Sequence, residues 1–134
     1  MKALFADTFF FFAFLNAEDG AHEEAEAYFE SFNGQLVTTE WVLTELADGM
    51  AGPGDREVFT QFHEALRSDE AITVVPSTTA LFAAGVRLYS ARTDKEWTLT
   101  DCISFVVMQH EGLAEVLSGD RHFEQAGFKT LLKS

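Results

Sequence analysis

Cysteine, proline and basic residues are scarce in this sequence of 134 residues. The single cysteine, Cys102, excludes an internal disulfide and favours a reducing compartment, so we expect a cytoplasmic protein. Two prolines, nine glycines and no low-complexity run leave no stretch with the composition of a long linker. We therefore expect one domain over residues 1–134.

Long hydrophobic runs are also missing. The most apolar stretch, residues 3–15, is shorter than the roughly 20 residues that a membrane-spanning helix needs. Asp7 lies inside this stretch, and a charge at that place argues against a secretory signal peptide. We expect neither a signal peptide nor a membrane partner.

The charge is strongly one-sided. Nine lysines and arginines stand against 22 aspartates and glutamates, which gives a formal net charge of −13. Proteins that bind nucleic acid through its phosphates usually present a basic surface, and no dense basic cluster is present here. Solubility of an acidic protein is the simplest explanation of the excess of carboxylates, which becomes useful in catalysis only where several carboxylates hold a cation.

Short apolar runs alternate with helical patterns along the whole chain. The runs predict strands at residues 2–6, 35–37, 72–75 and 114–118, and the segment FKTLL closes the chain. Helical patterns cover residues 9–15, 21–32, 41–46, 55–67, 77–89, 100–110 and 122–125. This alternation predicts an α/β three-layer sandwich, with a central, mainly parallel sheet of about five short strands flanked by helices.

Four acidic residues are expected near one edge of this sheet. Asp7 follows the first strand and Asp120 follows the fourth, while Asp101 lies in the first turn of the helix before that strand. Glu45 comes from the helix after the second strand. Ligands of open parallel sheets bind beyond the carboxyl ends of the strands. Taken singly, however, Asp7 and Asp101 are more simply explained as helix caps, and Glu45 as a surface residue.

The segments around these acids resemble those of the PIN-domain family, notably its VapC toxin ribonucleases. WTLTDCISFVVM and EVLSGDRHFEQAGF are similar to the C-terminal half of that family, and FADTFFFFAFLN and TTEWVLTELAD to its first two acidic motifs. The likeness covers nearly the whole chain in the right order. It implies a PIN-like parallel sandwich, a carboxylate-bound Mg²⁺ or Mn²⁺ ion, cleavage of single-stranded or loop RNA, and an antitoxin partner.

The resemblance assigns the catalytic site to four acids, Asp7, Glu45, Asp101 and Asp120. The three aspartates are the expected metal ligands, and Glu45 is either a ligand or the group that orients the attacking water. Thr8 and Ser118 match small hydroxyl positions, where they would orient the carboxylates through hydrogen bonds. Hard divalent cations prefer such oxygen ligands and generate hydroxide from bound water.

Weaker candidates flank the acidic motifs. Arg92, Lys95 and Arg121 could contact RNA phosphates, although surface salt bridges explain them equally well. Asp94 is a further candidate acid, for which a solvated charge is the simpler explanation. The four histidines lack metal-binding spacing, so we do not expect zinc, and His122 is interpreted as a structural hydrogen-bonding residue.

Several other functions fit parts of this sequence. A receiver domain would need an adjacent acidic pair after the first strand, and a haloacid-dehalogenase phosphatase would need D-x-D there, whereas Asp7 is followed by Thr8 and Phe9. An RNA-processing PIN nuclease without an antitoxin, or a catalytically masked partner-binding module, remains open. The phenylalanine-rich first helix covers more than one helical face, so we expect a homodimer or antitoxin interface that includes it or the face of Phe29 and Phe32.

Overall fold

Five short parallel strands form a single sheet in this computed structural model, which describes residues 2–133. The strands are β1 (Ala3–Ala6), β2 (Gln35–Thr39), β3 (Ile72–Val75), β4 (Glu115–Leu117) and β5 (Lys129–Thr130). Their order across the sheet is β3-β2-β1-β4-β5. The prediction of an α/β sandwich with about five mainly parallel strands is therefore confirmed.

Within the described residues, seven helices flank the sheet. They are α1 (Thr8–Leu15), α2 (His22–Ser31), α3 (Glu40–Gly49), α4 (Asp55–Arg67), α5 (Thr79–Ala91), α6 (Leu99–His110) and α7 (Arg121–Gln125). Hydroxyl and carboxylate side chains cap several of them. Asp7, Thr39, Thr78 and Thr98 each accept a backbone N–H at the start of α1, α3, α5 and α6. These caps fix the turn by which each helix leaves the preceding strand or loop.

The strand order reverses direction between β1 and β4. From β1 the chain continues to β2 and β3 on one side, and it returns to β4 and β5 on the other. Phe5 of β1 lies between Val37 of β2 and Val116 of β4 in the register of the sheet. A crevice opens at such a reversal, beyond the carboxyl ends of the two central strands. Residues directly after β1 and β4 therefore share this crevice.

Helix α6 runs through the core. Every residue from Cys102 to Met108 is buried, and Phe105 makes edge contacts with Trp97 and Phe123. Cys102 is completely buried. This packing anchors the first turn of α6, which carries Asp101.

The phenylalanines of α1 are paired inside the monomer. Phe10 and Phe11 are fully buried, the ring of Phe14 stacks on Phe29 at 4.6 Å, and Phe11 meets Phe62 edge-on at 5.5 Å. These rings pack α1 against α2 and α4, while Phe9, Phe12 and Phe14 are only half-buried. The interface expected on this helix or on the face of Phe29 and Phe32 stays a prediction. Among residues 2–133, the exposed large hydrophobic side chains lie on α4 and α5, namely Val58, Phe82, Val86 and Tyr89.

Gly85 allows α5 to pack closely on α6. A Cβ atom at this position would lie 2.3 Å from Cγ1 of Ile103. Alanine favours helix by about 1 kcal/mol, but overpacking of this kind costs about 1–3 kcal/mol. We expect Gly85→Ala to lower the free energy of unfolding by about 1 kcal/mol in urea titrations. Gly20→Ala is the control, since its Cβ would meet nothing within 4 Å; equal losses in both variants would contradict the expectation.

None of the helices in the described range is both long and apolar enough to cross a membrane.

Candidate active site

Asp7 lies at the centre of the crevice, directly after β1. Its Oδ1 atom accepts the backbone N–H of Phe10 at 3.1 Å, and its Oδ2 atom accepts the hydroxyl of Ser118 at 2.7 Å. The residue is only 6% exposed. Burial is the main cause that raises the pKa of this carboxyl to about 8, and the nearby carboxylates of Asp120 and Asp101 contribute in the same direction against the opposing hydrogen bonds from Ser118 and Phe10. Asp7 is thus a buried acid with no basic side chain among its hydrogen-bond partners.

Ser118 connects the ends of β1 and β4. Its Oγ atom donates to Asp7 and accepts the backbone N–H of Asp120 at 2.9 Å. The intervening Gly119 is closely packed, because an added Cβ would lie 2.6 Å from the ring of Phe9 and 3.0 Å from the carbonyl oxygen of Lys133. One hydroxyl therefore fixes two acids that are far apart in the sequence.

Asp101 is held at the start of α6 by a reciprocal cap. Its backbone N–H donates to the hydroxyl of Thr98, and its Oδ2 atom accepts the backbone N–H of Thr98 at 3.1 Å. The same Oδ2 atom lies 2.9 Å from Nδ1 of His122. Burial raises the pKa of Asp101, opposed by the hydrogen bonds from Thr98 and His122. Asp101 is thus both a helix cap and a member of the acidic group, the set formed by Asp7, Asp101 and Asp120.

Asp120 caps α7 and lies beside His122. Its Oδ1 atom accepts the backbone N–H of His122 at 2.9 Å and lies 3.6 Å from Nδ1 of the same residue. Ligand atoms of Asp101, Asp120 and His122 all lie within 4.8 Å of one another. These distances are compatible with a shared metal ion.

Glu45 reaches this end of the sheet from α3. Its carboxylate is exposed, and its Oε1 atom accepts the hydroxyl of Thr8, the residue next to Asp7. Thr8 therefore links Glu45 to the start of α1. The carboxylate keeps contact with solvent, whereas Asp7 does not.

The donor set fits a divalent cation. Among residues 2–133, the ion pairs formed by the four acids involve His122 alone, and no lysine or arginine neutralises them. Carboxylates placed this closely repel one another unless a cation lies between them. Burial is the main cause of the raised pKa values of Asp7 and Asp101, and the neighbouring carboxylates add to it. Asp101, Asp120 and His122 are close enough to share a metal ion, and Asp7, which is linked to Asp120 through Ser118, could complete the site.

The flanking candidates are placed differently. The structure does not bring Asp94 into the acidic group, because its exposed carboxylate is bonded to Arg92 at 3.0 and 3.1 Å. This contact holds the pKa of Asp94 down at about 2. The guanidinium of Arg92 also lies 5.0 Å from the centre of the Trp97 ring. Arg121 is exposed beside Asp120, and Lys95 is half-buried.

Two residues have larger roles in holding the acidic site together than the sequence indicated. Thr98 was not identified, although a threonine three residues before Asp101 is a capping pattern that could have revealed it. His122 was interpreted only as a structural residue, and its contacts with both Asp101 and Asp120 depend on the packing of α6 and α7. No local sequence pattern predicts the contacts of His122 with Asp101 and Asp120.

Comparison with known proteins agrees with this geometry. The model of the PIN domain matches residues 4–129. The chain belongs to the PIN-domain family. The VapC ribonuclease of Aquifex aeolicus is 30% identical over 136 residues, which cover 98% of this chain and 96% of that protein.

Two solved structures have similar folds. VapC20 of Mycobacterium tuberculosis, a toxin that cleaves the sarcin–ricin loop, has a TM-score of 0.87 at 24% identity, over 96% of this chain and 98% of that one. FitAcB of Neisseria gonorrhoeae has a TM-score of 0.67 at 19% identity, over 96% of both chains. At these identities the two structures show the PIN fold alone.

Removing the Ser118 hydroxyl from this PIN domain should weaken metal binding. Ser118→Ala leaves Asp7 without one hydrogen bond and frees the backbone N–H of Asp120. Residues that orient metal ligands typically contribute about 10–100-fold to affinity. We expect Mn²⁺ affinity, measured by calorimetry, to fall by about tenfold or more. Ser90→Ala, at an exposed position of α5, is the control; unchanged affinity in Ser118→Ala would contradict this role of the hydroxyl.

Proposed function

We propose that this PIN domain is a divalent-metal-dependent endoribonuclease that hydrolyses phosphodiester bonds in single-stranded or loop RNA. The observation that carries the proposal is an acidic group beyond the ends of β1 and β4. Ser118 links Asp7 to Asp120, the ligand atoms of Asp101, Asp120 and His122 lie within 4.8 Å of one another, and among the described residues no lysine or arginine is in ion-pair contact with these aspartates. The family and the VapC ribonuclease relative support the same reaction class.

The proposed roles follow from burial and hydrogen bonding. Asp7, Asp101 and Asp120 would hold Mg²⁺ or Mn²⁺, and such an ion polarises a phosphate and lowers the pKa of bound water. Glu45 is exposed and fixed by Thr8, so its carboxylate can orient the attacking water or accept its proton. Ser118 and Thr8 keep the carboxylates in place.

RNA contacts must come from few basic residues. Arg121 is exposed directly after Asp120, which makes it the best placed of the three candidates for a phosphate contact. Lys95 is half-buried, and Arg92 would have to exchange its bond with Asp94 for one with RNA. Because VapC20 is described as a toxin that cleaves the sarcin–ricin loop, hairpin-loop RNA is the first substrate class to test.

We further propose that the protein is the toxin of a toxin–antitoxin pair acting in the cytoplasm. The VapC ribonuclease relative and the fold shared with VapC20, which is described as a toxin, support this assignment. The net charge of −13 suits an antitoxin with basic side chains. An RNA-processing nuclease without an antitoxin, and a masked partner-binding module, are the alternatives. A homodimer stays a prediction, and a monomer in sedimentation runs at micromolar concentration would contradict it.

The nuclease proposal is tested with metal-stripped protein and total cellular RNA. Incubation with Mn²⁺ or Mg²⁺ should produce a small set of new 5′ ends, and chelator should abolish them. The Asp120→Asn variant should yield none of these ends. Folded wild-type protein that binds metal but creates no new ends would contradict the nuclease function and favour the masked binding module.

The toxin proposal is tested separately by inducible expression in a bacterial host. Wild-type protein should arrest growth, and the Asp120→Asn variant at equal abundance should not. Growth arrest by both variants would contradict a nuclease-based toxin. Sequence-specific cleavage in vitro without growth arrest would favour the RNA-processing alternative.

A further inference from the structure

His122 occupies an unusual place in the acidic group. Its ring nitrogen Nδ1 lies 2.9 Å from Oδ2 of Asp101 and 3.6 Å from Oδ1 of Asp120. Its backbone N–H donates to the same oxygen of Asp120 at 2.9 Å. The imidazole therefore lies beside the two carboxylates that carry the proposed metal site.

The other three histidines have no comparable position. His22 contacts the carbonyl oxygen of Ala13 at 2.8 Å, and His63 stacks on Phe59. His110 ends α6, nine residues beyond Asp101 and thus about 13 Å away along the helix axis at 1.5 Å per residue. Among residues 2–133, the side chains that could share a metal ion are those of Asp101, Asp120 and His122, whose ligand atoms lie within 4.8 Å of one another. His122 is the only histidine in this set.

We propose that a ring nitrogen of His122 is a ligand of the divalent cation held by Asp101 and Asp120. This inference rests on the proposed metal-dependent function but adds a nitrogen donor to a site otherwise made of oxygen. Imidazole binds first-row transition ions better than it binds Mg²⁺, which prefers oxygen ligands. The mixed donor set therefore shifts the preference of the site from Mg²⁺ towards transition-metal ions, of which Mn²⁺ is the weakest-binding and a spectroscopically active member.

The proposal is tested by pulsed electron paramagnetic resonance of Mn²⁺ bound to the full-length, metal-stripped protein. The ¹⁴N nucleus of an imidazole bound directly to Mn²⁺ couples strongly to the electron spin of the ion. The coupling is weaker for a histidine that is only hydrogen-bonded to a metal ligand. Labelling the histidines with ¹⁵N identifies the source of that coupling. Competition between Mn²⁺ and Mg²⁺ gives the ratio of their affinities without reference to RNA cleavage.

His122→Asn is the test variant and His110→Asn the matched control. Asparagine keeps the backbone N–H that Asp120 accepts and can donate a side-chain hydrogen bond near Asp101. We expect the nitrogen coupling in wild type and in His110→Asn and its loss in His122→Asn. The preference for Mn²⁺ over Mg²⁺ should fall by about tenfold in His122→Asn and stay unchanged in His110→Asn.

Three results would overturn the ligand role. They are no bound Mn²⁺, bound Mn²⁺ without strong histidine coupling in wild type, and an equal loss of Mn²⁺ and Mg²⁺ affinity in His122→Asn. The wild-type spectrum decides the question even if the variant folds poorly. A strong histidine coupling in a protein that cleaves no RNA would contradict the nuclease proposal and leave the ligand assignment intact, so the two failures are distinguishable.

Discussion

Asp101→Asn is expected to lower the rate of RNA cleavage by about a thousandfold or more, whereas Asp94→Asn should leave it within about threefold of wild type. Both aspartates precede or begin α6 and are only seven positions apart. The structure separates them clearly. Asp101 lies in the acidic group beside His122 and Asp120, while Asp94 is exposed and bonded to Arg92.

The size of the first effect follows from the charge that the substitution removes. A metal ion stabilises the charge of a phosphoryl transition state by several kcal/mol, and each 1.4 kcal/mol corresponds to about tenfold in rate. Asparagine can still accept the N–H of Thr98 and so preserve the cap of α6. The loss should therefore appear in the rate and in metal affinity, with little change in stability.

The pair of variants is compared in single-turnover cleavage of one hairpin RNA, with thermal unfolding measured in parallel. Asp94→Asn also controls for the removal of one negative charge near the start of α6. Equal losses of activity in the two variants would show that Asp94 belongs to the site, and would contradict its placement outside the acidic group.

Asp7→Asn is expected to stabilise the metal-free protein at pH 8 while abolishing RNA cleavage. The pKa of Asp7 is about 8 in the folded chain, compared with an ordinary value of 3.8. The folded state therefore binds a proton at Asp7 more tightly than the unfolded state does. The resulting stability is fully present below about pH 4 and is lost as the pH rises through about 8, at up to about 1.4 kcal/mol per pH unit.

Asparagine carries no charge at any of these pH values, so Asp7→Asn does not lose this stability as the pH rises. It can accept the N–H of Phe10 and donate to the oxygen of Ser118, so both contacts of Asp7 have counterparts. We expect the melting temperature of Asp7→Asn in chelator to exceed that of wild type by at least about 5 °C at pH 8. The difference should shrink towards pH 5, where wild-type Asp7 is protonated.

Thermal unfolding in chelator between pH 5 and 8 measures this effect. Asp69→Asn, at an exposed position before β3, is the control and should keep the wild-type pH dependence. Added Mn²⁺ should stabilise wild type most at high pH and should stabilise Asp7→Asn far less. A variant that is less stable than wild type at pH 8 would contradict the idea that an uncompensated buried charge strains the empty site.

The order of the elements could be predicted from the sequence because strands and helices have different hydrophobic periods. Asp7 and Asp120 were placed correctly at strand ends for the same reason, since a short apolar run ends at each acid or just before it. The predicted site thus depended on local patterns combined with one general rule about parallel sheets. The PIN resemblance then selected these acids from a very acidic chain.

The contacts that join the acids could not be predicted in this way. Ser118 and Asp7 are 111 positions apart, and Thr8 and Glu45 are 37 apart. Such pairs depend on how the strands are ordered, which periodicity does not encode. The bond between Asp94 and Arg92 is local, yet side-chain geometry in a polar loop also leaves no sequence pattern.

The first helix shows a second limit of pattern analysis. Five phenylalanines on more than one face of α1 predicted that some are exposed or paired, and in the structure Phe29 and Phe62 from other helices pack against Phe14 and Phe11. A helix that is apolar on several faces can be buried on all of them. How much of such a helix is buried depends on its tertiary neighbours, and here α2 and α4 cover part of α1 while Phe9, Phe12 and Phe14 stay half-buried.

The most direct test of a carboxylate-bound metal as the centre of RNA cleavage is to measure Mn²⁺ occupancy and cleavage rate in the same samples. Metal-stripped wild type and Asp101→Asn are titrated with Mn²⁺ in the presence of one hairpin RNA. We predict that the wild-type rate rises from background in proportion to bound Mn²⁺, and that Asp101→Asn shows neither tight binding nor cleavage. Cleavage by wild type at an undiminished rate in chelator, or full Mn²⁺ occupancy without cleavage, would contradict this account.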